Sequence, residues 1–277
     1  MNKNLLKGMM SMAFAMLAMG AFAQETVTVL PTADTWIRLN NKTNQATAVN
    51  MELQTCTNTA DATKSVSMLG LMAFDVPAEA LASDATITKA TLRLVTKRLK
   101  GNRKVNIYKY SNFEENTIYE KETDKVASAM VADNLLASFD AQGKSNADLT
   151  SDALGDYTTA EKWTSDVDVT EAVKGLTDGS FAILLAKDKD EAKSTQIFTK
   201  DAKDVTNSKD ASVTFAAADL VPQLTIVYEK SSTDGISEVM SDVATSTEVY
   251  NLQGVRMNGK NLPAGIYVKN GKKFIVK

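Results

Sequence analysis

The sequence predicts an all-β protein: a β-sandwich, jelly-roll-like, followed by a small C-terminal β-hairpin module. Three observations carry that expectation. Segments of strand length alternate apolar and polar residues or run continuously apolar, turn residues punctuate them, and helical periodicity is nearly absent across the 277 residues. A sheet must bury its apolar face against another layer, and with so little helix available that layer is a second sheet.

The elements follow in order. Lys3 and Lys7 precede an apolar run that ends in Ala21-Phe22-Ala23, the small-x-small pattern of a signal-peptidase site, so 1–23 is expected to be a secretory leader and Gln24 the mature start. Ser11 and Gly20 interrupt the run, it is shorter than the roughly 20 residues a spanning helix needs, and no later stretch approaches that length; no membrane span is expected. ETVTVLPTADTWIRLN (25–40) then reads as strand, corner at Pro31, strand, and SMLGLMAFDVP (67–77) as a continuous apolar strand. ITKATLRLVTKRL (87–99) puts Ala90, Leu92 and Leu94 on one face, and KVNIYKY (104–110) points Val105 and Ile107 inward with Asn106, Tyr108 and Tyr110 outward. Across Gly101-Asn102 these two are expected to form a hairpin.

Residues 112–162 are polar with apolar patches and accommodate a helix or a long excursion. WTSDVDVTEAVKGLTDGSFAILLAKD (163–188) predicts a strand around Val167 and Val169, one helical turn from Thr170 to Leu176, a turn at Asp178-Gly179 and a buried strand at Phe181–Ala186. Ile197–Asp201 and PQLTIVYEK (222–230) complete a domain over 24–230. Ser, Thr and Asp dominate 231–248, which reads as a linker. The tail, 249–277, offers three short strands joined at Asn258-Gly259, Pro263-Ala264-Gly265 and Asn270-Gly271.

Composition excludes several kinds of function. Loss of the leader takes Lys3 and Lys7 and no acid, leaving 29 Lys and Arg against 34 Asp and Glu, a net charge of −5. That balance opposes nucleic-acid binding and attraction to an anionic membrane, so any anion site is local. Histidine is absent, which removes Ser-His-Asp and Cys-His nucleophile activation and His-ligated zinc together. The single cysteine, Cys56, has no partner for an intramolecular disulfide and reads as a small strand residue. Asp34, Asp75, Asp166 and Asp168 invite a structural Ca²⁺, though nothing has EF-hand spacing; no cofactor is otherwise expected.

Two resemblances add to this reading. The tail opens Val249-Tyr250-Asn251-Leu252-Gln253-Gly254, continues through Leu262-Pro263-Ala264-Gly265-Ile266-Tyr267-Val268 and ends Phe274-Ile275-Val276-Lys277. Over about thirty residues it resembles the C-terminal sorting domains of the Bacteroidetes type IX secretion system, which implies that machinery as a partner and an extracellular or outer-membrane-surface location. The body, about 25–230, carries Ala33-Asp34-Thr35-Trp36-Ile37-Arg38, Phe74-Asp75, the 85–94 strand, Trp163 with Val167-Asp168-Val169-Thr170, and Phe198-Thr199-Lys200-Asp201 before Pro222-Gln223-Leu224. In their order these pieces resemble the family-96 carbohydrate-binding modules, or DNRLRE domains. That resemblance implies a β-sandwich binding acidic polysaccharides, alginate among them. The cationic row that the family often places before its Phe-Asp is absent from Ser67–Asp75.

The candidate site starts from TKRLKGNRK (96–104), five cations in nine positions. A uronate polymer needs cations for its carboxylates, donors for its hydroxyls and an aromatic face for its rings; arginine grips a carboxylate bidentately and lysine acts as a point charge. Arg93, Lys97, Arg98, Arg103 and Lys104 with Tyr108 supply those parts if they share the face of the 93–108 hairpin. The competing reading is a solvated loop whose charges protect a sheet edge. Trp36 with Arg38 is a second candidate, either a stacking site or core, and Lys200 a third, either a site residue or half of a surface ion pair with Asp201. Together these predict a secreted, non-catalytic carbohydrate-binding protein for an anionic polysaccharide. The alternatives are a structural or adhesive surface protein that uses the sandwich for protein contact and, more remotely, a polysaccharide-active enzyme.

Overall fold

The computed structural model describes residues 23–39, 42–56, 66–121, 126, 128–143, 160–188, 190–207, 210–231, 248–258, 262–269 and 272–276. The expected leader, apart from Ala23, and residues 232–247 of the expected linker lie outside them. The chain divides into two compact units, with the boundary after Lys230.

The first unit is built from antiparallel strands. One sheet runs β1 (Ala23–Val29), β13 (Gln223–Lys230), β5 (Ala85–Leu99) and β8 (Thr164–Asp168). The second takes up the far end of β5 and continues through β10 (Glu191–Phe198), β3 (Asn50–Cys56), β4 (Val66–Asp75), β9 (Ser180–Lys187), β6 (Lys104–Tyr110) and β7 (Leu135–Asp140), with β2 (Ala33–Arg38) also laid along β4. β5 belongs to both sheets: residues 85–93 face β13, 91–95 face β8, and 96–99 face β10. A strand that changes sheets in this way turns the corner of a sandwich.

Alternation along the strands fills the space between the sheets. Ile87, Ala90, Leu92 and Leu94 from β5, Leu224, Ile226 and Tyr228 from β13 and Val167 from β8 meet Met72 and Phe74 from β4, Phe181, Ile183 and Leu185 from β9, and Val105 and Ile107 from β6. The expected sandwich and its inward residues are thus present. A second cluster lies on the other face of β4 and β9, where Leu69, Leu71, Leu184 and Ala186 join Ile37 under Ile118 and Val126. Both strands are covered on both faces, which is why their sequences read as unbroken apolar runs. The covering segment includes α1 (Ile118–Lys121), so the 112–162 excursion resolves in part as a lid over this sheet.

The expected turn of helix appears as α2 (Thr170–Lys174). A third cluster joins Val95, Trp163, Phe198, Phe215 and Leu220, where Phe215 belongs to the short ladder of β11 (Val205–Thr206) with β12 (Thr214–Phe215) and Leu220 to α3 (Ala217–Leu220). Gly143, at φ +125°, passes so close to the Trp163 ring that a Cβ there would overlap it, so both the conformation and the space call for glycine.

The expected hairpin of 87–99 with 104–110 is not formed. β5 pairs with β13, β8 and β10, and β6 pairs with β7 and β9. The physical reason is the length of β5: fifteen residues carry it from one sheet into the other, where β10 takes its edge, and the 100–103 connector enters β6 elsewhere in that sheet.

The second unit contains β14 (Val249–Asn251), β15 (Arg256–Met257), β16 (Gly265–Lys269) and β17 (Lys272–Val276), in the order β15-β14-β16-β17. Three strands were expected and four are found among the described residues, because a turn at 252–255 with Gly254 at φ +78° folds the first segment back on itself. Tyr267 is buried, with its ring 5.9 Å from that of Phe274. Leu252, Val255, Ile266 and Ile275 stay exposed.

Candidate functional site

On β5, Thr96 pairs with Ile197 and Arg98 with Gln196, so Lys97 is one residue more than β10 can match. The result is a β-bulge, a device that re-aims side chains. Plain alternation would send Lys97 and Arg98 to opposite faces; here both reach the same one. Lys97 Nζ donates to Asn50 Oδ1 at 3.0 Å, and Arg98 Nη2 donates to Glu52 Oε1 at 2.8 Å and to Ser194 Oγ at 3.0 Å. Ser194 Oγ in turn donates to Glu52 Oε1 at 2.6 Å. Asn50 and Glu52 are two apart on β3 and so share a face, and Gln196 lies in register between Arg98 and Glu52. The inward neighbours Leu53 and Leu99 are buried in the main core, which makes this polar face the outward one.

The Arg98 and Glu52 side chains are 26% and 21% exposed. The pair is thus only partly open to solvent, and together with Ser194 it fixes the guanidinium plane. The face therefore offers two adjacent cations and, on the neighbouring strands β10 and β3, two amides, with the buried Ser194 hydroxyl bracing Arg98 and Glu52. Asn50, Glu52, Ser194 and Gln196 were not singled out from sequence. Polar residues on a strand carry no local mark of what lies across from them, and only the register brings these together.

The rest of TKRLKGNRK departs from this face. Lys187, whose side chain is fully buried, donates from Nζ to Lys100 O at 2.9 Å, Lys193 O at 3.0 Å and Glu191 Oε1 at 2.7 Å. Glu191 also accepts the Asn102 backbone N–H. Burial pushes the Lys187 ammonium below the usual lysine range even with Glu191 beside it. Gly101 sits at φ +69°, where a Cβ would run into the Glu191 carboxylate. The connector is thus clamped rather than a free loop tip. Arg103 Nη1 donates to Gly143 O at 2.7 Å, and Lys104 is exposed opposite Asp140.

The remaining candidates lie apart as well. Tyr108 packs against the second cluster, on the outer face of the same sheet but beyond β3, β4 and β9 from Lys97 and Arg98, with Asn106 Nδ2 donating to its hydroxyl at 3.2 Å. Arg93 stands on the outer face of the first sheet, between Gln223 and Asp166. Trp36 is half-buried against the main core, which favours the core reading, and Arg38 is half-buried opposite Met68. The expectation of one continuous 93–108 face therefore gives way to a smaller group, Lys97 and Arg98 with their strand neighbours.

Lys200 belongs to a separate clasp that joins two of the motif pieces. Its backbone N–H donates to Asp34 Oδ2 at 2.6 Å, and its Nζ lies 3.1 Å from Glu115 Oε2 and 2.9 Å from Asp201 Oδ2. Glu115 Oε2 also accepts the Asp34 N–H at 3.0 Å. Asp34 is 1% exposed and its Oδ1 has no hydrogen-bond partner. Burial pushes its carboxyl up to about 7, against the lowering influence of the Lys200 N–H and ammonium. Lys200 is thus more than the simple surface pair with Asp201. Among the described residues no group of three or more acids is placed to hold a metal ion: Asp75 ends β4 exposed, and Asp166 and Asp168 face outward from β8.

Compared with known proteins, the chain matches no family model, and no curated protein proves similar to it.

Proposed function

We propose that this protein is a secreted, non-catalytic carbohydrate-binding protein that holds an anionic, uronate-type polysaccharide outside the cell, and that Lys97 and Arg98 make the ionic contact. The observation that carries the reading is the β5 bulge, which turns two consecutive cations onto one outward strand face. A polymer carboxylate meets the Lys97 ammonium and the Arg98 guanidinium, while the half-buried amides of Asn50 and Gln196 address hydroxyls. Glu52 holds the guanidinium in place. Binding makes and breaks no covalent bond. The resemblance of the body to family-96 modules supports the glycan reading, and the leader and the sorting-type tail support export by the type IX machinery to the cell surface.

The test is native electrophoresis of the chain through gels containing alginate. Retardation is expected, weakening with added salt because the contacts are ionic. Lys97→Ala with Arg98→Ala lowers the affinity about tenfold or more, the loss of two charge-assisted contacts. Arg103→Ala with Lys104→Ala leaves it near the parent value. A second reading, an adhesive or structural surface protein, draws on the exposed Leu252, Val255, Ile266 and Ile275 of the C-terminal unit. Unretarded migration combined with self-association would favour it.

A further inference from the structure

The roof over the second sheet is fastened at its head through a shared charge. Residues 113–121 lie in no strand. They hold to the sheet by apolar packing, with Ile118 and the half-buried Phe113 and Tyr119 against Ile37, Leu69 and Leu71. Glu115, just ahead of α1, adds a polar fastening. Its Oε2 accepts the Asp34 N–H of β2 at 3.0 Å and lies 3.1 Å from Lys200 Nζ. Lys200 follows β10 and donates its own backbone N–H to Asp34 Oδ2. Two framework elements and the roof therefore meet at one ammonium.

The charged side chains that face Asp34 are Lys200 and Asp201 from the turn after β10 and Glu115 from the roof. Its neighbours on β2 and β4, Ala33, Thr35 and Met72, carry no charge, and the 44–48 loop brings the Ala46 carbonyl, 3.5 Å from Lys200 Nζ. The exposed Glu114 is occupied by Thr117 Oγ1, which donates to it at 3.2 Å. With Asp34 neutral, one ammonium serves two carboxylates, Glu115 and Asp201. With Asp34 ionised it must serve three.

We propose that the Asp34–Lys200–Glu115 clasp is a pH-sensitive latch on this roof, closed while Asp34 is protonated and released, so that 113–121 lifts from the sheet, when Asp34 ionises. Asp34 Oδ1 is buried without a hydrogen-bond partner, a condition that a neutral carboxyl bears better than a carboxylate. Once charged, that oxygen draws the Lys200 ammonium, the mobile donor nearest to it, away from Glu115. Glu115 is then left beside a like charge. Asp34 is fixed in β2 and Lys200 by its backbone bond, so the partner free to leave is the one on the segment outside the strands. Burial pushes the Asp34 carboxyl up to about 7, which sets the release near neutrality. The chain has no histidine, so a response between pH 6 and pH 8 has few other sources. The latch is independent of the Lys97–Arg98 reading.

The experiment is hydrogen–deuterium exchange of the full chain at pH 6 and pH 8, each rate divided by the intrinsic rate at that pH. Protection of 113–121 is expected to fall about three- to tenfold between the two and to stay below that of β9 at both. Asp34→Asn keeps an acceptor for the Lys200 N–H and cannot ionise, so it retains at pH 8 the roof protection it has at pH 6. Glu115→Gln weakens roof protection already at pH 6 and leaves β9 unchanged. Parent protection indifferent to pH, a fall undiminished in Asp34→Asn, roof protection unaltered by Glu115→Gln, or one protection factor shared by 113–121 and β9 at both pH values overturns the proposal.

Discussion

Replacing Lys187 by methionine is expected to lower the melting temperature by roughly 10 °C, a loss of about 3–5 kcal/mol. The side chain of Lys187 is wholly buried and its three donors are all used, on Lys100 O, Lys193 O and Glu191 Oε1. Methionine fills the volume and satisfies none of the three acceptors. It also leaves the Glu191 carboxylate, 26% exposed, with the Asn102 N–H as its remaining hydrogen-bond donor among the described residues. Removing one partner of a buried pair costs more than the pair is worth, because the other charge remains. The double substitution Lys187→Met with Glu191→Leu is therefore expected to recover part of the loss. Thermal unfolding of the single and double variants, followed by circular dichroism, checks both statements. A Lys187→Met variant melting within a degree or two of the parent would remove the clamp from the account of the 100–103 connector.

The second large effect concerns pH. Asp34 has its folded-state carboxyl pushed up to about 7, from an ordinary value of 3.8, chiefly by burial. A folded value above the unfolded one means that the folded protein holds the proton more tightly. Its stabilising contribution is complete below about pH 4 and is lost as pH rises through about 7. Between pH 5 and pH 8 this group alone takes away about 2–3 kcal/mol. Glu25, Asp168 and Glu191 are held below their usual range, so their contributions fade only under more acid conditions. Lys200 is raised, burial being outweighed by Asp201 and Glu115, and its contribution is lost only above the ordinary lysine range. Asp34→Asn cannot ionise, so its stability changes less between pH 5 and pH 8. Denaturant unfolding at the two pH values tests this; equal pH slopes in parent and variant would refute it.

Much of the fold was legible because alternation and apolar runs report burial directly. The Leu69–Phe74 and Phe181–Ala186 runs marked strands covered on both faces, and Ala90, Leu92 and Leu94 marked the inward face of β5. Pairing was less legible. Gly101-Asn102 is a fair hairpin signal, yet strand partners are fixed by tertiary packing, and a fifteen-residue strand that crosses between sheets leaves no local trace. The candidate site shows the same division. Lys97 and Arg98 were conspicuous as charges, but a bulge is a property of register between β5 and β10. Asn50 and Glu52, more than forty residues upstream, could be associated with them only through that register. Trp36 and Tyr108, chosen as stacking rings, pack instead against the main core and the second cluster.

The measurement that bears most directly on the proposed function is hydrogen–deuterium exchange of the full chain with and without alginate. Protection concentrated in 50–54, 96–99 and 194–197, relieved by salt and absent in the Lys97→Ala, Arg98→Ala variant, is the predicted result. Protection centred on 103–110 instead, or exchange unchanged by a saturating excess of the polymer, would contradict it.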